Sequence, residues 1–181
     1  MNRLALTSTI IGAIVVVARA PGLVVPDRFR AASLKFPRSV FWGRVLMALA
    51  AVWVGIVMFT AADKDWPSWA RPAIVIGVPI VYVLVIKYAD QFLSFRGLAV
   101  LLLLAAKIMV DAADASNLPS RLVVTTLAYI WVVAAMWMAI VPHLFRDLLG
   151  WSMANNTRCR VVCSIGVALG ALLLALGLFV Y

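Results

Sequence analysis

The stretch Val161–Tyr181 reads VVCSIGVALGALLLALGLFVY, twenty-one residues without a charge. About 20 such residues, rising 1.5 Å each in a helix, cross the ~30 Å hydrocarbon core of a bilayer. A helix that is apolar all round has to be surrounded by apolar material on every side. The rest of the chain repeats the message. Of its 181 residues, 66% are hydrophobic and 13% charged, and mean hydropathy is +1.08. A soluble domain is roughly half apolar and a quarter charged. Lipid is therefore the solvent for most of this surface. A closed barrel also satisfies its backbone in lipid, but its strands alternate apolar and polar residues. Runs such as Leu98–Ala106 do not alternate. The expected fold class is an all-α integral membrane protein, a six-transmembrane-helix bundle in a single domain over residues 1–181.

The six spans expected are Leu4–Val25, Val40–Ala61, Pro72–Ala89, Gly97–Ala115, Leu122–Val141 and Val161–Tyr181. After the first, third and fifth come the arginine- and lysine-rich connections, with Arg28, Arg30, Lys35 and Arg38, then Lys87 and Arg96, then Arg146, Arg158 and Arg160. The positive-inside rule puts these in the cytoplasm, against anionic lipid, and both termini outside a bacterial-type inner membrane. The same placement accounts for the net charge of +9 and removes nucleic acid from the expected partners. Met1-Asn2-Arg3, an apolar run and Ala18-Arg19-Ala20 imitate a secretory signal, but Pro21 after the would-be cut argues for an ordinary span.

The two ends of the chain resemble each other. Val25-Pro26-Asp27-Arg28-Phe29-Arg30 parallels Val141-Pro142-His143-Leu144-Phe145-Arg146, and Thr9 aligns with Thr125, Arg44 with Arg160. Ala89-Asp90-Gln91-Phe92 is a looser middle copy. The pattern suggests repeated two-helix units over 1–64, 65–116 and 117–181. In the two longer connections, apolar residues such as Phe29, Phe36, Phe145 and Leu149 fall on one face. Both are expected to form short in-plane helices on the cytoplasmic side, the first ended by Pro37.

Polar residues at depth carry the functional reading. Lys107 lies about 16 Å beyond Arg96, near the midplane, and Asp111 follows one turn later on the same face. Ionisable groups in a span are expensive and usually functional. Lys107, Asp111 and Asp114, with Thr9 and Thr125, form the candidate intramembrane polar site. Arg30, Arg44, Arg146 and Arg160 are the candidate lipid contacts. Gly166, Gly170 and Gly177 permit close packing against another helix. Cys159 and Cys163, one turn apart, read as two reduced thiols. With His143 the only histidine, no metal site and no cofactor are expected. Phosphate loops, glycine-flanked serines and histidine pairs are missing, and no catalysis is expected.

Two functions fit. One is a small transporter or channel-like protein whose polar residues converge on a cavity. The other is a non-catalytic accessory subunit of a larger membrane complex, or a homo-oligomer, with a filled interior and an outward surface shaped for a partner.

Overall fold

The computed structural model describes residues 3–67, 69–88, 93–116 and 118–181, with the side chains of residues 38 and 62–65 outside that description. The chain is helical throughout, without a strand among the described residues. Its helices are α1 (Arg3–Val24), α2 (Pro26–Lys35), α3 (Val40–Asp65), α4 (Ala70–Tyr88), α5 (Leu93–Asp114), α6 (Arg121–Ile140), α7 (Pro142–Ser152) and α8 (Asn156–Ala175). A single tight turn, Phe36–Arg38, joins α2 to α3, and a wider turn over Leu176–Val180 prolongs α8. Six of these are long and apolar enough to cross a membrane, the last running from Asn156 to Val180. The chain is thus an all-helical, multi-pass membrane protein.

Prolines set the breaks. Pro26 and Pro142 each open a helix at its first position, where a missing N–H costs nothing. The residue before each leaves helical geometry in the same way, with φ −131°, ψ 69° at Val25 and φ −127°, ψ 65° at Val141. Steric conflict with the proline ring drives that departure. Pro37 falls in the tight turn that follows α2. Ser39 caps α3 by accepting a hydrogen bond from the Trp42 N–H (3.3 Å). Pro21 and Pro79, by contrast, lie within α1 and α4, which continue through them.

α5 is the hub. It packs against α1, α3 and α6, while α8 packs mainly on α1, and α4 lies at the edge against α3. In its apolar window 39% of residues are buried, against 6% for α3. Leu4, Ala106, Met109, Val124, Ala128 and Leu173 form one core cluster between α1, α5, α6 and α8. Phe95, Ala99, Ala135 and Met138 form a second, covered by Phe36, Phe145 and Leu149. Alanine at the closest approaches lets the backbones meet with small side chains between them.

The α1–α8 seam is closer still. A Cβ built on Gly12 would lie 2.7 Å from the Gly170 carbonyl oxygen and 2.8 Å from the Leu174 nitrogen. One on Gly166 would meet Arg19 Cγ at 2.9 Å, and Gly177 lies against the Thr9 hydroxyl and the Ala5 carbonyl. The three α8 glycines thus face α1 of the same chain. Gly12, which spacing within α8 could not reveal, completes the seam. At its C-terminal end Tyr181 donates a hydrogen bond to the Ser120 carbonyl (2.8 Å).

Candidate functional site

Lys107 and Asp111 form an ion pair on α5, as their four-residue spacing predicts. The pair does not point into the bundle. Its side chains are 54% and 60% exposed, on the face of α5 turned away from α1 and α6. Asp114 lies on the same stripe, exposed, and makes no hydrogen bond or ion pair among the described residues. The interior beside them is filled by Ala106, Met109, Ala112 and Ala113.

The hydroxyls do not join this stripe. Thr9 Oγ1 donates to the Ala5 carbonyl (2.7 Å) and Thr125 Oγ1 to the Arg121 carbonyl (3.0 Å), each within its own helix. Thr9 is spent in the α1–α8 seam, and Thr125 sits on α6. Back-bonding of this kind is the ordinary fate of threonine in an apolar helix. Lys107, Asp111, Thr9 and Thr125 therefore share no cavity.

The four arginines differ from one another. Arg30 is the most engaged. Its Nε donates to the Met153 carbonyl (2.7 Å), one terminal nitrogen to the Ala154 carbonyl (2.7 Å) and the other to Asn156 Oδ1 (2.6 Å). Asn156 in turn donates to Asp27 (2.8 Å). The guanidinium thus satisfies two carbonyls left over where α7 ends, and fixes the α7–α8 turn to α2. Beneath it Met153, Cys159 and Cys163 are fully buried against the half-buried Leu23 and Phe29, both thiols free. Arg146 instead bonds its neighbour Asp147 through two nitrogens at 2.9 and 3.0 Å. Arg44 is exposed, and its carbonyl accepts a hydrogen bond from the Tyr82 hydroxyl (3.5 Å). Arg160 is exposed on α8.

On the other flank of α5 lies a groove of about 590 Å³, a size typical of ligand sites. Its walls are α3 and α4, with Arg96 and Val100 of α5 at one end and Trp66 and Trp69 at the other. Gly97 holds α5 and α3 together at the Arg96 end, where its built Cβ would lie 3.0 Å from the Met47 nitrogen. Among the described residues α4 packs mainly along α3, which leaves the groove open sideways. A Cβ built on Gly77, in its α4 wall, would meet no atom within 4 Å.

No protein-family model, no characterised protein and no solved structure matches the chain.

Proposed function

We propose that the chain is a non-catalytic assembly subunit, which binds other membrane proteins through the α3–α5 flank. The observation that carries this reading is the outward Lys107–Asp111 pair. A lysine and an aspartate near mid-depth, open to hydrocarbon, cost several kcal/mol even by forgiving scales. Covering by a protein surface that offers polar partners relieves that cost. A transport route would gather the same groups inside, but the threonines are spent on their own helices and the interior is packed. The reading assigns the chain no reaction and no cofactor.

The topology belongs to the same proposal. The chain sits in a bacterial-type inner membrane with both termini outside, and α2 and α7 lie in the plane of its cytoplasmic surface. Two observations support relating the first and last hairpins by duplication: the shared sequence pattern, and the near-identical backbone angles at Val25 and Val141. The residues of the middle copy, Ala89–Phe92, lie outside the described residues. The repeat is thus argued from the two ends alone.

Gentle extraction from native membranes followed by native mass spectrometry tests the reading. A stoichiometric protein partner, lost when Lys107→Met and Asp111→Asn are combined, is the expected result. A lone chain that conducts a solute across reconstituted liposomes would overturn it in favour of transport.

A further inference from the structure

The chain's only two cysteines meet a methionine in a place closed to solvent. Cys159 and Cys163 stand one turn apart on α8, and Met153, at the end of α7, packs against them. Relative exposure is 0% for each cysteine and 1% for Met153. Leu23 of α1 and Phe29 of α2 supply apolar walls. On the α1 side Gly22 makes the room, since any Cβ there would collide with the Cys163 sulfur. A single buried cysteine is an ordinary small apolar residue. Here α1, α7 and α8 together gather two thiols and a thioether, and both thiols are free.

The donor set selects its ligand. Thiolate and thioether sulfur favour copper(I) over harder ions, which prefer nitrogen or oxygen. No histidine or carboxylate joins the two thiols among the described residues, so the four-ligand set of zinc is not met. The charge setting suits a thiolate pair. Cys159 closes the first turn of α8, its N–H on the Asn155 carbonyl (2.9 Å), and a helix start favours negative charge. The Arg30 guanidinium is held at the Met153 carbonyl (2.7 Å), and the stem of Arg19 lies along Gly166. Both charges act on Cys159. Two thiolates and one copper(I) carry one net negative charge, which these guanidiniums offset.

We infer that Met153, Cys159 and Cys163 form a binding site for one copper(I) ion, held by two thiolates and a thioether. Binding exchanges protons for metal. One Cu⁺ and two S–H groups give two Cu–S bonds and release two protons to water, and no electron is transferred. The site goes beyond the assembly reading and does not depend on it.

The test offers copper(I), as its coloured bicinchoninate complex, to the full chain purified in detergent under reducing conditions. One copper per chain should be captured, and X-ray absorption at the copper edge should show sulfur neighbours only. Losing a supporting residue around a metal costs ~10–100-fold in affinity, so losing a ligand, by Cys159→Ala or Cys163→Ala, should weaken capture about a hundredfold or more. Met153→Leu conserves volume and so keeps the fold, and should remove one sulfur from the absorption spectrum. Four results would each overturn the inference: no capture by the parent chain, capture that survives loss of both cysteines, oxygen or nitrogen in the copper shell, or a sulfur count unchanged by Met153→Leu.

Discussion

The two flanks of this protein treat the same apolar material in opposite ways. Along the α1–α8 seam, Gly12 and Gly170 bring backbones together until no Cβ fits between them. Along α3 and α4, alanines and Gly77 line a groove that nothing among the described residues fills. Lipid solvates leucine as well as a neighbouring helix does, so small residues report on close packing. In the seam that packing is already made. On the other flank small residues line an open groove, and the exposed ion pair stands on the neighbouring helix α5. The difference shows α1 and α8 holding the bundle together, and it supports the proposal that α3–α5 meet a partner.

The sharpest way to break the comparison is to overfill each side. Gly12→Leu forces a side chain into the Gly170 and Leu174 backbone, and should cost about 3 kcal/mol or more, since overpacking at a rigid contact has little room to relax. Unfolding of the detergent-solubilised chain would show it as loss of the folded state. Gly77→Leu should leave the same unfolding curve within about 0.5 kcal/mol, as exposed substitutions do. Equal losses from both would mean that the groove is no more open than the seam.

Arg30→Ala ranks next. It leaves the Met153 and Ala154 carbonyls without their donor and should cost about 2–3 kcal/mol, read as early opening of the α7–α8 turn in hydrogen exchange. Arg160→Ala, at an exposed arginine, should stay within about 0.5 kcal/mol. The third variant, Lys107→Met with Asp111→Asn, should change monomer stability by less than about 1 kcal/mol, because an exposed i,i+4 pair contributes little. Its effect should appear in partner retention. The smallest effect is on α1, where Ser8 Oγ is buried without a hydrogen-bond partner among the described residues. Ser8→Ala should be neutral or raise stability by up to about 1 kcal/mol, measured by the same unfolding curve.

Much of the fold was legible because length and apolarity are one-dimensional signals. All six spans were expected within a few residues of where they lie. The largest shift is in the last, which begins at Asn156 rather than Val161 because Arg158 and Arg160 occupy its first turns. Counting apolar residues misses a helix that starts in polar sequence. The Lys107–Asp111 pair was legible from its spacing, but its direction was not. A span apolar on every side carries no periodicity to separate lipid from protein, and only the packing of α5 on α1, α3 and α6 reveals which face is left. Arg30 shows a different limit. Its hydrogen-bond acceptors are two backbone carbonyls and one asparagine, more than 120 residues away. A carbonyl has no signature in sequence, so Arg30 read only as a lipid contact. The close approach of Gly97 to α3 was likewise invisible until the register of α3 against α5 was known.

The claim that the α3–α4 flank is covered in the cell can be tested without knowing the partner. A lipid-soluble carbene reagent is activated in native membranes and, separately, in vesicles that hold only the purified chain. Labelling is then mapped along α4 by mass spectrometry. The account predicts that Ala73 and Gly77 are labelled in the purified chain and protected in the native membrane, while the outward face of α6 around Tyr129 and Val133 is labelled in both. Equal labelling of Ala73 and Gly77 in the two membranes would show the groove facing lipid in the cell and would contradict it.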